Sequence, residues 1–279
     1  MPTPEKQVRH AFRLLAAAAS LGLSAARLPA QNPSPEVELS ASAGFTRGGP
    51  LWSVAVQPML VPLMSSVLRD TFALTRRLSP GLSAWLGFTK YNRPHVGMGA
   101  EVAWVAASVA TACQIVTQLQ PDPYQANAGS CLNASQHHMV TSAIAAQGTV
   151  TLRAAPRRDV SPYMKVGLGA AMLSGSFVVT GANFSTDACP ICYREIYAPD
   201  SPTFTWAGTL AAGLVFGGGT AAHFRIEVRD IVLGLSAVTG PANPESSRPV
   251  PPVRIRAAHR VILALGFDLA SGGPRRPRY

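Results

Sequence analysis

The chain has 279 residues, of which 24 are basic and 14 acidic, giving a formal net charge of +10 at neutral pH. Charged residues make up 14% of the chain, against about 25% in an ordinary soluble domain. Hydrophobic residues make up 47%. This shortage of charge argues against an ordinary soluble globular protein.

The first 30 residues have the layout of a secretory signal peptide. Lys6, Arg9 and Arg13 precede an apolar run over residues 14–26, and small residues follow. The run is shorter than the about 20 residues that a membrane-spanning helix needs. We therefore expect residues 1–30 to be a cleaved signal peptide. Because an exported chain seldom meets nucleic acid, we expect no nucleic-acid partner despite the basic charge.

Turn signals divide the rest of the chain into eight segments of strand character. The predicted strands are 37–46, 82–90, 95–108, 138–153, 162–179, 203–216, 222–238 and 254–269. The connections between them alternate long and short. The long ones are 47–81, 109–137, 180–202 and 239–253, and the short ones are 91–94, 154–161 and 217–221.

This order of loop lengths is typical of an outer-membrane barrel, which has long outer loops, short periplasmic turns and both termini on the periplasmic side. The sequence thus predicts an all-β fold, an eight-stranded antiparallel up-and-down transmembrane β-barrel, over residues 31–270. Residues 271–279 are predicted to form a basic disordered tail. We expect eight strands to enclose an interior that side chains fill, and therefore no open channel.

The first long loop contains a stretch from Leu51 to Leu68 without a charged residue. Pro58 and Pro62 argue against a membrane helix there. Two structures remain open for this loop. One is a loop helix that covers something apolar or plugs the barrel, and the other is an extra hairpin that includes residues 70–78 and raises the strand count to ten.

Alternation within the predicted strands separates two faces. One face is apolar and is predicted to contact lipid. Its residues are Val96, Met98, Val102, Trp104, Phe204, Trp206, Leu210, Leu214, Phe224, Ile226, Val228, Val261, Leu263, Leu265, Phe267 and Leu269. Five aromatic residues are candidates for the membrane interface, namely Trp104, Tyr163, Trp206, Phe216 and Phe267.

The opposite face carries charges of both signs. A charge at the centre of the lipid face costs about 2 to 4 kcal/mol, so this ladder is predicted to line the barrel interior, where its members can pair. Its residues are Glu38, Glu101, Arg153, Lys165, Arg225, Glu227, Arg229, Arg260 and Asp268.

Taken together, these patterns resemble the small outer-membrane β-barrel family, which includes the OmpA transmembrane domain and OmpX. The resemblance covers Val37 to Leu269 and rests on the signal peptide, the opening strand, the segment 163–170 and the closing strand. It depends on architecture and involves no catalytic motif. The chain departs from the family after Phe267, because a proline and arginine tail follows the last strand.

Four cysteines lie in predicted outer loops: Cys113, Cys131, Cys189 and Cys192. In an exported protein they favour disulfides, first Cys113 with Cys131 and Cys189 with Cys192, with the two cross-loop pairings left open. A redox or zinc role for the Cys189 pair is an alternative. We expect no metal and no cofactor.

The leading functional prediction is a bacterial outer-membrane protein with a structural, surface-binding or adhesion role and no catalysis. Its expected partners are outer-membrane lipid, lipopolysaccharide and an extracellular partner of the outer loops. One alternative is a lipid-modifying barrel enzyme that uses a rim histidine, His137 or His138. The other is a secreted lipocalin-like barrel that carries an apolar ligand inside.

Overall fold

The computed structural model describes most of the predicted barrel. The described residues are 36–63, 66–117, 128, 129, 131, 132, 135, 142–156, 158–174, 184–186, 189–192, 204–217, 221–241 and 252–271. Side chains are not described at 58–70, 184–186 and 189–192. The predicted signal peptide, the tail after residue 271, His137 and His138 lie outside the described residues. No helix among the described residues is long and apolar enough to cross a membrane.

The described residues form thirteen strands. In chain order these are β1 (Glu36–Thr46), β2 (Gly49–Leu63), β3 (Ser66–Leu78), β4 (Gly81–Arg93), β5 (Val96–Ala106), β6 (Val109–Thr117), β7 (Ser142–Arg153), β8 (Val160–Leu173), β9 (Phe184–Thr186), β10 (Cys189–Cys192), β11 (Phe204–Phe216), β12 (Ala222–Val238) and β13 (Val253–Ser271).

Eight of these strands close an antiparallel barrel, in the order β1, β4, β5, β7, β8, β11, β12, β13 and back to β1. They correspond to the eight predicted strands, so the predicted up-and-down barrel is confirmed. Strands β2, β3 and β6 form a separate three-stranded sheet, and β9 pairs with β10. The ten-stranded alternative is therefore wrong, because the extra hairpin pairs with β6 and does not enter the barrel wall.

The strand register determines the shape of the barrel. A path that starts at Thr46 and crosses each hydrogen-bonded pair in turn passes through Ile262, Arg229, Ala211, Lys165, Thr151, Gly97 and Tyr91. It returns to β1 at Glu36, ten residues before its start. A stagger of ten residues over eight strands tilts the strands by about 40° from the barrel axis. Each residue then advances about 2.5 Å along that axis.

The short connections all lie at one end of the barrel, together with the start of β1 and the end of β13. We call it the inner end, and the opposite end, with the long connections, the outer end. One predicted turn, 91–94, is shorter than expected. Strand β4 continues to Arg93 through an irregularity between Tyr91 and Arg93, so that the turn is reduced to Pro94 and His95.

The three-stranded sheet rises from the outer end of the barrel. Strand β2 pairs only with β3 among the described strands, and this edge position accommodates Pro58 and Pro62, which lack the N–H that an interior strand needs. The alternative of a loop helix in this region is wrong. The stretch instead forms a strand, in which Leu51, Trp52 and Val54 pack in apolar clusters while Val56 is exposed.

Gly148 of β7 and Gly169 of β8 lie on neighbouring strands of the barrel wall. Together they test how closely these two strands pack. A Cβ atom on Gly169 would overlap the carbonyl oxygen of Ala146, whereas one on Gly148 would meet its nearest neighbour at 4.0 Å. We expect Gly169→Ala to lower the free energy of unfolding by about 1 to 3 kcal/mol because the backbone must shift. Gly148→Ala should leave it unchanged. Denaturant unfolding in detergent micelles measures both, and equal effects would contradict the register described here.

Candidate functional site

The interior of the barrel contains the predicted charge ladder. All nine of its members are buried, with exposed fractions from 0% for Asp268 and Arg229 to 6% for Arg153. A buried charge needs partners, since breaking one buried ion pair costs about 3 to 5 kcal/mol. The contacts between these residues therefore decide what the interior can do.

The exterior carries the predicted apolar set. Fifteen of its sixteen residues are exposed, and Val96 is half-buried. Further exposed apolar residues, among them Leu39, Leu86, Val150 and Leu168, extend the surface to all eight strands of the barrel. On β11 it runs from Phe204 to Leu214, a height of about 25 Å at the tilt given above, which matches the apolar band of a membrane barrel. We call this surface the apolar belt.

Arg229 is the centre of the interior ion pairs. Its Nη2 donates to Oε2 of Glu101 at 2.9 Å, and its Nε donates to Oε1 of Glu227 at 2.6 Å. The guanidinium also lies over the ring of Trp85, 4.2 Å from the ring centroid. Glu101 has a second cationic partner, Lys165, whose Nζ donates to Oε2 of Glu101 at 3.1 Å. One carboxylate therefore joins two cations that come from different strands.

Tyr163 extends this cluster toward the inner end. Its hydroxyl donates to Oε2 of Glu227, and its ring lies 5.7 Å from the guanidinium of Arg225. Arg225 in turn pairs with Asp268 at 3.3 Å and donates to the hydroxyl of Ser42 at 2.6 Å. The expectation that Tyr163 lies at the membrane interface is wrong. Its ring is 4% exposed because the odd-numbered positions of this part of β8 face inward.

Arg153 closes the cluster at the inner end. It pairs with Glu36 at 3.1 Å and contacts Glu38, and its guanidinium lies 3.9 Å from the ring centroid of Tyr91. Glu36 is the more exposed partner, with 24% of its side chain accessible. The interior cavity is narrow at this level, and charged and aromatic groups from five strands line it.

The charges of this inner cluster balance. Four cations and four anions are buried in it, namely Arg153, Lys165, Arg225 and Arg229 with Glu38, Glu101, Glu227 and Asp268. The balance lets a narrow interior hold eight ions, since each desolvated charge has an opposite charge nearby. Among the described residues, no group of three or more His, Cys, Asp and Glu side chains is arranged to hold a metal ion.

Arg260 differs from the rest of the predicted ladder. Its Nη2 donates to the carbonyl oxygens of Ser79 at 3.1 Å and Ala106 at 2.6 Å. These carbonyls lie at the outer ends of β4 and β5, next to the points where β3 ends and β6 begins. The expectation that Arg260 belongs to a ladder of paired charges is therefore corrected. It ties the outer rim of the barrel to the base of the three-stranded sheet.

The outer half of the interior is apolar, a feature that the alternation in the sequence does not indicate. On β12 the inward charges at 225, 227 and 229 give way to the fully buried Ile231, Leu233 and Leu235. These side chains pack in one cluster with Trp85, Val105 and alanines of β5, β7, β8 and β11. The barrel is thus filled by ions in its inner half and by apolar groups in its outer half.

A second apolar cluster lies above the first. Trp52, Val54, Phe72 and Leu74 of the three-stranded sheet pack with Ala237 and Val238 of β12, and Cys131 joins them. A disulfide joins Cys113 of β6 to Cys131, with Cα atoms 5.3 Å apart, which confirms the first predicted pair. The side chains of Cys189 and Cys192 lie outside the described part of the chain. We call this sheet and its cluster the outer cap.

Arg76 is a charged residue that is buried inside the outer cap. Its side chain is 2% exposed, and its guanidinium lies 5.9 Å from the centroid of a ring of Trp52. Burial lowers the pKa of Arg76 to about 10. The cap is therefore a packed structure, and Leu78 and Val109 at its base join the apolar cluster in the outer half of the barrel.

Two polar residues on the exterior were also missed. Asp230 of β12 and His259 of β13 face outward, and His259 Nδ1 lies 2.7 Å from Oδ2 of Asp230. They interrupt the alternation that otherwise places apolar groups on this face. The signal was present in the sequence, since Asp230 falls on the same face as Phe224, Ile226 and Val228.

Comparisons with known proteins add little to this description. No protein-family model and no curated protein matches the chain. Similar solved structures include Neisserial surface protein A, with a TM-score of 0.38, 7% identity, and coverage of 84% of this chain and 96% of that chain. The outer membrane protein AlkL in DMPC bilayers gives a TM-score of 0.39, 12% identity, and coverage of 91% and 97%.

A third structure is the translocator domain of the autotransporter NalP from Neisseria meningitidis, with a TM-score of 0.27, 10% identity, and coverage of 95% of this chain and 97% of that chain. TM-scores this low do not establish a shared fold. The strand pairing of the chain itself establishes the fold, a closed eight-stranded antiparallel barrel with a polar inner half and an apolar outer surface. This is the architecture of small outer-membrane barrels.

The inner ion cluster predicts a large effect of removing one carboxylate. We expect Glu101→Gln to lower the free energy of unfolding by about 3 to 5 kcal/mol, because Lys165 and Arg229 lose a shared partner in a buried site. Glu36→Gln is the control. It should lower the free energy of unfolding by less than about 1 kcal/mol, because water partly solvates the Glu36 carboxylate. Unfolding by denaturant in detergent measures both. An effect of Glu101→Gln no larger than that of Glu36→Gln would contradict the cluster.

Proposed function

We propose that this chain is a bacterial outer-membrane β-barrel protein with a structural or surface-binding role. The proposal rests on one observation, that the strands of the barrel turn their apolar face outward and their charged face inward. Large apolar side chains such as Leu168, which is 73% exposed, point outward, and charged ones such as Asp268, which is 0% exposed, point inward. In water this arrangement would be unfavourable by about 25 cal/mol for each Å² of exposed apolar surface, whereas hydrocarbon covers such a belt favourably.

The filled interior supports a role other than conduction. The inner half is blocked by paired charges and the outer half by the apolar cluster around Ile231, Leu233 and Leu235. An eight-stranded barrel has an interior just wide enough for side chains. The outer cap adds a further apolar layer above the mouth. We infer that the function lies on the surfaces of the molecule and not in a pore.

The outer cap supports a binding role at the cell surface. It presents a packed β-sheet with a disulfide at the end where barrels of this kind carry their outer loops. Rigid elements hold a binding surface more precisely than loops do. We propose that lipopolysaccharide surrounds the base of the cap and that an extracellular partner contacts its upper part.

The lipocalin-like alternative has no support in this structure. It requires the large apolar residues to point inward around a ligand, whereas Leu263, Leu265 and Phe267 are about half exposed on the exterior. The enzyme alternative rests on His137 and His138, which are not among the described residues. Lipid A profiles of cells carrying His137→Ala and His138→Ala decide it, and unchanged profiles would remove it.

Envelope fractionation tests the proposed location and fold together. We expect the protein in the outer-membrane fraction, with a lower apparent mass on a denaturing gel before boiling than after it, since the closed barrel resists detergent until heated. A double variant with Leu265→Asp and Leu168→Asp is the control. The two substitutions place charges on the apolar belt, where each charge destabilises the barrel in the membrane by up to a few kcal/mol. The variant should therefore assemble poorly.

Two results would contradict the proposal. One is recovery of the unaltered protein in the soluble periplasmic fraction without a heat-dependent shift. The other is normal assembly of the Asp variant, which would show that the belt does not contact hydrocarbon.

A further inference from the structure

The inner end of the barrel has a large excess of basic residues in its sequence. Counted from residue 31, its connections and terminal segments are 31–36, 90–96, 154–160, 217–222 and 270–279. The basic residues in these segments are Lys90, Arg93, Arg157, Arg158, Arg275, Arg276 and Arg278. The acidic ones are Glu36 and Asp159, and Glu36 already pairs with Arg153. The inner end is therefore strongly basic.

Backbone hydrogen bonds join the connections of the inner end into one ring. The N–H of Arg153 donates to the carbonyl oxygen of His95 at 2.9 Å, which holds the turn after β4 beside the end of β7. The N–H of Gly217 donates to the connection between β7 and β8 at 2.8 Å. The N–H of Ala270 donates to the connection between β11 and β12 at 2.8 Å. These turns therefore hold their basic residues at the edge of a closed, hydrogen-bonded barrel.

Lys90 lies on the exterior, at the inner edge of the apolar belt. It faces outward on β4, one pleat beyond Phe88, and the strand register places it between Val37 of β1 and Met98 of β5. Phe88 is 42% exposed and Met98 is 64% exposed. A lysine on such a surface lays its stem along the apolar groups and extends its ammonium group into polar surroundings. Lys90 therefore reaches the level at which the lipid hydrocarbon ends.

Arg93 and Arg158 lie farther toward the inner end, and both are exposed. Arg93 is the last residue of β4, and it follows Lys90 by three residues, or about 7 Å along the barrel axis. Arg158 lies between β7 and β8, where its N–H donates to the carbonyl oxygen of Ala155 at 3.1 Å. A headgroup layer of a bilayer is about 5 to 8 Å thick. The basic residues from Lys90 to Arg93 therefore span the depth of such a layer.

Three more arginines follow β13 in the sequence. Ser271 ends β13 opposite Val37, and Leu269, two residues earlier, is 51% exposed on the belt. The chain therefore leaves the barrel at the inner edge of the belt. Residues 272–279 lie outside the described residues, and their sequence is GGPRRPRY. The arginines follow Ser271 by four, five and seven residues, which is at most about 25 Å of extended chain.

We propose that these basic residues bind the phosphate groups of anionic phospholipids in the inner leaflet of the outer membrane. This inference rests on the proposed membrane location. Because lipid surrounds the whole barrel, residues that lie at different points of its circumference each contact a headgroup of the same leaflet. We define the inner basic rim as Lys90, Arg93, Arg158, Arg275, Arg276 and Arg278.

The position of Lys90 favours lipid over the anionic polymer of the cell wall. A polymer that approaches from the periplasm meets Arg93 and Arg158, but it does not reach a lysine on the lipid-facing exterior between Val37 and Met98. The guanidinium groups suit the same ligand, because they donate in a fork that fits phosphate oxygens. Basic groups at the edge of the hydrocarbon therefore match a leaflet of phosphates.

The expected strength of binding follows from the number of basic residues. A basic residue near an anionic lipid surface contributes about fivefold in affinity, and salt in the solution screens part of this effect. Removal of three basic residues should therefore weaken the binding of an anionic phospholipid at least tenfold. A zwitterionic phospholipid with the same acyl chains should bind more weakly than the anionic one to the unaltered protein.

The test uses the full mature chain in detergent micelles and native mass spectrometry. The protein is titrated with phosphatidylglycerol and, separately, with phosphatidylethanolamine. Two variants each remove half of the inner basic rim, namely K90Q/R93Q/R158Q and R275Q/R276Q/R278Q. The matched control R47Q/R254Q/R256Q removes three exposed arginines of the outer end. We expect both rim variants to bind phosphatidylglycerol at least tenfold more weakly, and the control to bind it like the unaltered protein.

Three results would overturn the proposal. The first is a rim variant that binds phosphatidylglycerol as well as the control does. The second is equal binding of the two phospholipids by the unaltered protein. The third is unchanged phosphatidylglycerol binding by rim variants that no longer sediment with purified peptidoglycan, which would assign the rim to the cell wall.

The heat-dependent gel shift of every protein is measured in parallel. Loss of the shift in the unaltered protein would contradict the proposed membrane barrel, whereas a normal shift without a preference for phosphatidylglycerol would contradict the inner basic rim alone. If K90Q/R93Q/R158Q does not fold, R275Q/R276Q/R278Q decides the question, since its substitutions lie beyond the last strand of the barrel.

Discussion

Eight charges in the inner half of the barrel have to neutralise one another, and the rest of the structure depends on that balance. The stagger of ten residues brings Glu101 of β5, Lys165 of β8 and Arg229 of β12 to one level of the interior, although the three residues lie far apart in sequence. No charge of this group can be removed cheaply, because each is desolvated by the barrel wall. The ion pairs of Glu101 thereby connect β5 with β8 and with β12, strands that share no backbone hydrogen bonds with it.

The charge balance also explains why the interior changes from charged in its inner half to apolar in its outer half. Because the charges are paired in the inner half, the outer half of the interior only has to be filled by side chains. Ile231, Leu233 and Leu235 fill it together with the alanines of the facing strands. Arg260 then ties the rim to the sheet above it through the carbonyl oxygens of Ser79 and Ala106. Ion pairs, apolar filling and outer cap form three layers along one axis. These three layers support the proposed role at the surfaces of the molecule over conduction through it.

The sequence predicts the barrel well because a strand between lipid and a charged interior alternates strictly, as β13 does from Arg260 to Leu269. It fails where both faces are apolar. Residues 231–235 are apolar or glycine throughout, since the outer half of the interior and the exterior are both nonpolar there, and the inward set cannot be recognised from periodicity. The sequence left a hairpin in the first long loop open as an alternative, but it did not show that this hairpin pairs with β6 outside the barrel wall, where β2 is an edge strand that tolerates Pro58 and Pro62.

The inversion of the two faces can be measured with the tryptophans of the chain. Trp104 and Trp206 lie on the apolar belt, with 45% and 46% exposed, whereas Trp52 and Trp85 are buried at 5% and 2%. In bilayers of brominated lipid, fluorescence of a variant that keeps only Trp104 and Trp206 should be strongly quenched, because bromine atoms on the acyl chains reach the belt. A variant that keeps only Trp52 and Trp85 should be quenched little. The opposite pattern would contradict the account.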